Sequence, residues 1–441
     1  MNRRDVAALI LILLLGAFVT TAQKFRHGVL PANVRIEGLE FLQGPLHTFS
    51  ESAEEELAPR GRVTVEAGRG DVQVQTWSEA KVRVELKKQI RMEDEKEAAR
   101  LAGELKLEML PGPEGLVIRP AGKRPTGAST EFTVMVPEQS RLQVITDNGS
   151  VVIRGVKGDV LVKTAHGDVE VVDVGGAVEV VNDDGSVELH RIQGEALIRT
   201  AHGDVRGSDL AGTAEVDCED GDVELSRVTG AVKVAHAHGE VQVSEAGGDV
   251  HVTSSNADVE LTGVRGMIDL VNEHGSVRVE RAGADVRVTA PHCEITVETV
   301  EGSLTATVQG DPLTAGTVKG GVKIQASAGS VTLTDVQGPI VVAATHTPVE
   351  IVRPGSDVEV NTTNQGIVVA SPAGQGFRLD ARADQGEVES NLPALHVSDD
   401  RPSHFAGSVG DGRLRYRLNT SHSTISIRAS ELQREEPDEG D

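Results

Sequence analysis

A nine-residue pattern with the consensus Gly-Asp-Val-x-Val runs from Gly149 to about Gly374. In steps of nine from Gly149, glycine occupies the first twelve positions, and apolar residues follow two and four places later, as Val151 and Ile153 do. The residue between these two apolar positions is usually charged or polar. Apolar and polar side chains that alternate in this way form a short β-strand with one buried face. The pattern therefore predicts many short strands separated by glycine turns.

A second period shows how the strands are wound. The eighth position of the nine-residue unit is apolar in every other copy, as at Val156, Val174 and Ile192, and differs in the copies between, as at Asp183. The full repeat is therefore eighteen residues, with two strands and two unlike turns. One such unit cannot bury its own apolar face, so neighbouring units must stack. We predict an all-β protein, a single-stranded β-solenoid of the β-helix or β-roll type, with two parallel sheets face to face and coils about 4.8 Å apart.

The repeat divides the chain into regions, with the solenoid predicted over residues 147–378. Residues 34–146 are predicted to form a small α+β cap of strands and one helix. The change to helical spacing between Met92 and Leu110 predicts that helix, which Pro111 should end. A helix at this end would cover the open edge of the first coil. Trp77, the only tryptophan, could be a ligand platform, but we expect it to belong to the core of this cap.

Beyond Gly374 the nine-residue register is lost. Residues 379–430 are predicted to form a C-terminal β cap, in which a loop from Asn391 to Gly407 precedes two strands. Residues 431–441 form an acidic tail, which we expect to be disordered.

The N-terminal 22 residues have the composition of an export signal. A basic start is followed by an apolar run from Val6 to Val19 and by small residues up to Ala22. Fourteen apolar residues are fewer than the roughly 20 that span a bilayer comfortably. Residues 1–22 are therefore interpreted as a secretory signal peptide, or as an uncleaved N-terminal anchor. In either case we expect the rest of the chain to be exported to the periplasm, cell envelope or cell surface.

Charge and cysteine content narrow the possible partners. The formal net charge of −25 argues against nucleic acid and against anionic membrane surfaces, which bind basic patches. We expect membrane contact only through the N-terminal segment, if it is retained. Cys218 and Cys293 lie about four coils, or roughly 20 Å, apart on the predicted solenoid, and a disulfide needs Cα atoms within about 7 Å. We expect both to be small buried thiols that are not bonded to each other.

The repeated turns resemble a known family. The run of Gly-Asp-Val-x-Val units, with the turns Thr164–Val169 and Thr200–Val205, resembles exported bacterial proteins of the DUF4097 family, which are described as adhesins. The segment from Gly70 to Trp77 looks like the N-terminal portion of that family. The resemblance implies an envelope or cell-surface protein, and it transfers no catalytic residue.

One row of side chains could carry chemistry. The ninth position of alternate units holds histidine or a small polar residue, and these side chains should stack along one edge of the solenoid. The residues are His166, Asp184, His202, Asp220, His238, Asn256, His274 and His292. Imidazole and carboxylate together suit a transition metal, but a linear stack offers ligands from one side only, whereas zinc prefers a tetrahedron. Alternatively, these residues precede glycines because they tolerate left-handed turns, or they form a pH-sensitive row, since histidine titrates near pH 6.5.

Other chemistries find less support in the sequence. The Gly-x-Asp spacing of nine-residue calcium-binding repeats is absent. Motifs of serine hydrolases, zinc proteases and phosphate-binding loops are also absent. Between Phe132 and Phe377 there is no aromatic platform for a sugar, so a β-helix polysaccharide-active enzyme is the weakest alternative.

The sequence favours a binding or scaffolding function. We expect no catalytic residues and no cofactor, and a non-catalytic envelope scaffold or adhesin-like surface that binds an unknown protein or glycan by repetition. The alternative is a membrane-anchored ectodomain that senses or regulates events in the envelope.

Overall fold

The computed structural model describes residues 44–430, except 114, 126, 127, 393, 394 and 402. It is a β-solenoid with about 13 turns and 3% helix, which confirms the predicted fold class. The predicted signal peptide or anchor (residues 1–22) and the acidic tail (residues 431–441) lie outside the described residues. No helix in the described part of the chain is both long enough and apolar enough to cross a membrane.

The central column runs from Arg141 to Ser371 and consists of two-strand coils. The first strand of each coil belongs to sheet A and the second to sheet B. In three coils one long strand passes through the corner and belongs to both sheets: Val232–Ala246, Val250–Thr262 and Ile268–Ala282. The other strands of sheet A are Arg141–Asn148, Val160–His166, Val178–Asp184, Ala196–His202, Ala214–Asp220, Val286–Pro291, Leu304–Gln309, Val322–Ser327, Ile340–Thr345 and Val358–Asn361. Those of sheet B are Val151–Arg154, Val169–Val174, Val187–Ile192, Val205–Leu210, Val223–Val228, Cys293–Val300, Leu313–Ala315, Val331–Thr334, Val349–Val352 and Ile367–Ser371.

Successive coils pair in parallel with a constant offset of eighteen residues. Val160 lies opposite Val178 in sheet A, and Val169 lies opposite Val187 in sheet B. The apolar residues of both strands point inward, where they are almost completely buried between the sheets. The apolar eighth positions, such as Ile192, close one corner and are also buried. The alternation at every second residue therefore determines which side chains form the core. The 18-residue repeat determines which residues of successive coils pair.

At the N-terminal end the order of the coils in space differs from their order in the chain. The N-terminal inner coil consists of strands Arg62–Arg69 and Asp71–Trp77, and the N-terminal outer coil consists of Gly115–Gly122 and Ala128–Pro137. The inner coil pairs in parallel with the outer coil on one side and with the coil that begins at Arg141 on the other. The solenoid ladder is thus longer than the predicted 147–378 segment.

Antiparallel strands complete this end. Leu105–Gly112 pairs with the outer coil in sheet A. In sheet B, Lys81–Arg91 pairs with the outer coil, and Leu46–Glu56 then pairs with Lys81–Arg91. The first coil in the chain is therefore covered by another coil rather than by a helix.

The helix at this end is shorter than predicted. It spans Glu95–Glu104, and its N-cap residue is Asp94, whose side chain accepts a hydrogen bond from the Lys96 N–H. Ala98 and Ala102 pack on the antiparallel strands. Leu105 begins a strand instead of continuing the helix to Pro111. The sequence from Leu105 to Met109 alternates apolar and charged residues, and the hairpin partner Gly115–Gly122 pairs with the backbone of this strand. Pairing in the hairpin overrode the helical spacing.

The C-terminal end repeats the exchange of coil order. The C-terminal inner coil consists of strands Leu414–Ser421 and Ile425–Ala429, and the outer coil consists of Phe377–Asp384 and Val388–Ser390. The inner coil comes later in the chain, yet it lies between the outer coil and the end of the central column. An antiparallel hairpin, Leu395–Arg401 and His404–Val409, covers the outer coil in sheet A. The predicted loop from Asn391 to Gly407 is therefore wrong, because most of it is this hairpin.

Candidate functional site

The predicted row of histidines and acids exists as a contiguous ladder along one corner. His166, Asp184, His202, Asp220 and His238 are register partners in successive coils of sheet A. Their side chains are between 52% and 61% exposed. The row continues through Asn256 to His274, whose ring stacks on that of His292 at 5.5 Å. The 18-residue coil therefore brings together residues that are far apart in the chain.

The ladder joins its members in pairs. Asp184 Oδ2 lies 3.3 Å from His166 Nε2, and Asp184 Oδ1 lies 3.2 Å from His202 Nδ1. Asp220 lies 3.5 Å from His202 Nε2 and 3.1 Å from His238 Nδ1. Each carboxylate thus lies between two imidazoles that are two coils apart, so the two rings cannot converge on one ion. No group of three or more His, Cys, Asp or Glu side chains within the described ranges is placed to hold a metal ion.

The backbone explains only part of this row. The residues from His166 to His274 do not have a left-handed backbone. The glycines that follow all of them except Asn256 do, with φ of +137° at Gly167 and +128° at Gly203. The argument that His and Asp stand here because they tolerate the left-handed region is therefore wrong for these coils. It holds further along the row, where His292 and His346 have φ of 60° and 55°.

Glycine is required at this corner for close approach as well as for backbone angle. A Cβ at Gly203 would lie 2.3 Å from the Gly185 carbonyl oxygen, and a Cβ at Gly185 would lie 2.5 Å from the Gly167 oxygen. Such distances are far below van der Waals contact. The glycine repeat is thus a steric condition for stacking the coils.

The aspartate of Gly-Asp-Val has a structural role that the sequence did not reveal. Asp168 Oδ1 accepts a hydrogen bond from the Ser186 N–H of the next coil at 2.9 Å, and Asp204 Oδ1 accepts one from the Asp222 N–H at 3.2 Å. At the opposite corner Asp249 accepts from the Met267 N–H at 2.8 Å. The Asp222 N–H lowers the pKa of Asp204, with a further contribution from Arg206. These carboxylates link coil to coil at both corners.

A row of buried polar residues lies behind the exposed ladder, where sheet A turns inward. Asn272 is fully buried, and its amide donates to the carbonyls of Ala257 and His274 at 2.8 and 3.0 Å. Buried His236 donates from Nδ1 to the Cys218 carbonyl at 3.0 Å, while its Nε2 has no partner among the described residues. Burial lowers the pKa of His236. This row satisfies corner carbonyls that face away from water.

Both cysteines are free and buried, as predicted. Burial raises the pKa of each thiol to about 11, so neither is a ready nucleophile. Cys218 Sγ lies 3.7 Å from the Gly203 carbonyl and takes a position in the buried polar row.

A third row of side chains, at the opposite corner, was also not predicted from the sequence. In the coils from Asp173 to Glu245 the seventh position of alternate units is left-handed without being glycine, with φ of 59° at Asp173 and 55° at Arg191. The Arg191 guanidinium donates to both Asp173 oxygens at 2.5 and 2.9 Å, and Arg227 does the same to Asp209. These contacts hold the pKa of Asp173 and of Asp209 below its usual value. The sequence signal of this row is a pair of opposite charges one coil apart. The pair is visible only when residues eighteen positions apart are compared.

The outer face of sheet B carries a depression of about 620 Å³ that is lined by His190 and Ser208, and Asp209 follows Ser208 in the chain. His190 Nδ1 lies 2.6 Å from Ser208 Oγ and 3.5 Å from Asp209 Oδ2. In a nucleophilic triad the two imidazole nitrogens face serine and aspartate separately. Here the same nitrogen faces both, so the cluster lacks the geometry of a proton relay.

Trp77 lies at a corner of the N-terminal inner coil and is half-buried, so the expectation of a core tryptophan is wrong. Its Nε1 donates to the Lys81 carbonyl at 2.7 Å, and the Arg83 guanidinium lies 4.8 Å from the ring centre. The cation covers the ring and occupies the face that a ligand would need.

Comparison with known proteins identifies the family of this chain. The family model described as Toastrack DUF4097 matches residues 62–309, beginning at the N-terminal inner coil. No curated protein matches the chain. A solved structure described as a putative cell adhesion protein from Clostridium sporogenes is 10% identical, with a TM-score of 0.17; the match covers 87% of this chain and 100% of that one. Because the family model spans more than half of the 441 residues, this chain belongs to the Toastrack DUF4097 family.

Proposed function

We propose that this protein is an exported, non-catalytic scaffold or adhesin-like binding surface of the cell envelope. The observation that carries the proposal is the constant 18-residue register over about 13 turns. Such a register makes a column in which each outward position recurs at every coil, about 4.8 Å above the last. A partner with its own repeat can then form many weak contacts at once, which raises avidity.

The side-chain chemistry supports the same function. Two clusters contain residue types that could be reactive, but their geometry joins coils or lacks a proton relay. The His–Asp ladder pairs neighbouring coils, and Ser208 and Asp209 both face the same imidazole nitrogen of His190. The Asp–Arg row and the Gly-Asp corners also join coil to coil. These interactions favour a rigid support over a reaction centre.

Export is part of the proposal and rests on the apolar run from Val6 to Val19. Fractionation of cells that make the full chain should place it outside the cytoplasm, where external protease or antibody can reach it. Purified protein should co-sediment with envelope fragments in a saturable manner. Recovery in the cytoplasmic fraction, or sedimentation that does not saturate, would contradict the proposal.

The same apolar run supports a second candidate, an anchored ectodomain that senses or regulates events in the envelope. Mass spectrometry of the native N-terminus separates the two. Cleavage after Ala22 supports the released scaffold, whereas a retained Met1 region with the protein in the membrane fraction supports the anchored form.

A further inference from the structure

The outward face of sheet A changes character in the C-terminal half of the column. Between the coils that begin at Val286 and Val358 it holds a groove of about 700 Å³. The groove is lined by threonine, serine, glutamine, asparagine and small apolar residues, and no charged or aromatic side chain of the described residues lines it. The whole chain carries a net charge of −25. An uncharged hydrogen-bonding groove on so acidic a protein marks a distinct surface.

Two cations stand in one row beside the groove. Arg287 and Lys323 are exposed and are joined through Thr305 by the strand register, so they lie two coils, or roughly 10 Å, apart. Neither has an acidic partner within ion-pair distance in the described part of the chain. In the N-terminal half, the same row holds Glu215, which pairs with Lys233 at 2.8 Å. Two carboxylates flank the cations in this row, since Asp269 is the register partner of Arg287 and Glu359 follows Lys323 after Val341. Neither acid lies within ion-pair distance of Arg287 or Lys323, so both cations remain available to a ligand.

The lining favours a sugar polymer over a peptide. The strand backbones beneath the groove already pair with the coils above and below, so a peptide strand could not extend the sheet here. Thr307 and Gln325 each donate and accept hydrogen bonds, as sugar hydroxyl groups do. The groove has no aromatic residue on which a sugar ring could stack, so charge and hydrogen bonds would have to hold the ligand.

We propose that this groove binds a linear acidic polysaccharide whose carboxylates recur about every second coil. The carboxylates pair with Arg287 and Lys323, and the sugar hydroxyls meet the side chains of Thr307 and Gln325. This inference rests on the proposed function, because it assigns a ligand class to the binding surface.

Binding of the full chain to hyaluronan fragments, which carry a carboxylate on every second sugar, tests it. We expect saturable binding that weakens as salt is added. The double variant Arg287→Gln and Lys323→Gln should lose about tenfold or more in affinity, the scale of charge-assisted contacts. The double variant Lys163→Gln and Arg199→Gln is the matched control, since it removes two cations from the same sheet in the N-terminal half. Its affinity should equal that of the parent.

Several outcomes would overturn the inference. One is equal loss in both double variants, which would indicate a net-charge effect. Another is equal affinity for neutral dextran, and the third is binding of polyphosphate without binding of hyaluronan. Thermal unfolding of each variant shows whether it is folded, and Ala343→Glu, which places a carboxylate on the groove floor, should abolish binding independently. If the groove variant still binds envelope fragments like the parent, this inference fails while the proposed function stands.

Discussion

The central column and its two ends obey different rules. Between Arg141 and Ser371 every coil pairs with the coil eighteen residues away, so neighbours in the chain are neighbours in space. At the ends the inner coils pair across offsets of 79 residues, as Val63 does with Leu142, and of 58 residues, as Val358 does with Tyr416. The column is thus built from local contacts, and its ends are closed by distant ones.

This difference shows how the free strand edges at the two ends of the solenoid are covered. A repeated coil leaves a free strand edge at each end, which invites association with another chain. At both ends a coil lies between two others, and antiparallel strands then cover the outer coil. The inner coils cannot leave without breaking two ladders, so the ends resist fraying more than a simple terminal coil would.

Removal of the C-terminal inner coil should have the largest effect. Deletion of residues 414–441 takes away the strand that joins Phe377–Asp384 to Val358–Asn361. We expect the outer coil and its hairpin to detach and the exposed edges to associate, with a lower melting temperature and larger species in size-exclusion chromatography. Excision of residues 178–195 is the contrasting change, because Val178 and Ala196 hold equivalent positions and the register is restored. That variant should fold as a shorter column; the opposite ranking would break the comparison between column and ends.

A side chain at the glycine corner should come next in size. Gly203→Val forces φ of +128° on a β-branched residue and places its Cβ 2.3 Å from the Gly185 oxygen. Backbone strain alone costs about 1–3 kcal/mol, and the overlap adds to it. Gly103→Ala in the helix is the control, since nothing lies near its Cβ position, and it should gain about 0.5–1 kcal/mol. Urea unfolding measures both, and equal midpoints would contradict the steric role of the corner glycines.

His236 should make the column sensitive to mild acid. Because burial lowers its pKa, the folded protein holds His236 neutral, while the unfolded chain gains a proton below the usual value of 6.5. The stability present above pH 6.5 is therefore lost as the pH falls. His236→Thr copies the residue of other coils, such as Thr200, and its melting temperature should decline less steeply from pH 7 to 5. Identical profiles for parent and His236→Thr would rule out the buried group.

The charged row should give the smallest effect. Arg191→Ala removes the hydrogen bonds that hold the pKa of Asp173 below its usual value. The contribution of this pair is present at neutral pH and is lost as acid protonates Asp173. Both side chains are about half exposed, so the loss at pH 7 should be small and should vanish in high salt. Melting temperatures in low and high salt measure it, and a large loss independent of salt would mean that the row supports the backbone rather than the charge.

Much of the column could be predicted because its contacts are periodic. Alternation at Val169 and Val171 identified the inward faces, and the eighth position at Ile192 identified the corner, since burial depends on these local patterns. The exposed ladder from His166 to His238 followed from the same arithmetic. The chemistry of that ladder did not, because the distance between side chains depends on their rotamers.

Other features could not be predicted because their partners are distant or weakly patterned. Asp168 accepts a hydrogen bond from a backbone N–H of the next coil, and no sequence preference marks that donor. The strand from Leu105 was hidden by helical spacing, and the hairpin at His404–Val409 by a loop-like composition. In each case a partner strand decided the structure.

By itself the sequence determined the strand period, the coil length, the two unlike corners and the buried faces, since each depends on residues within one repeat. Only the tertiary structure decided which coil lies outermost at each end, which acids bridge coils and where an uncharged groove opens beside Arg287 and Lys323. Those features depend on distances between residues from separate coils. Such distances exist only when the ladder has closed, and no single stretch of residues encodes them.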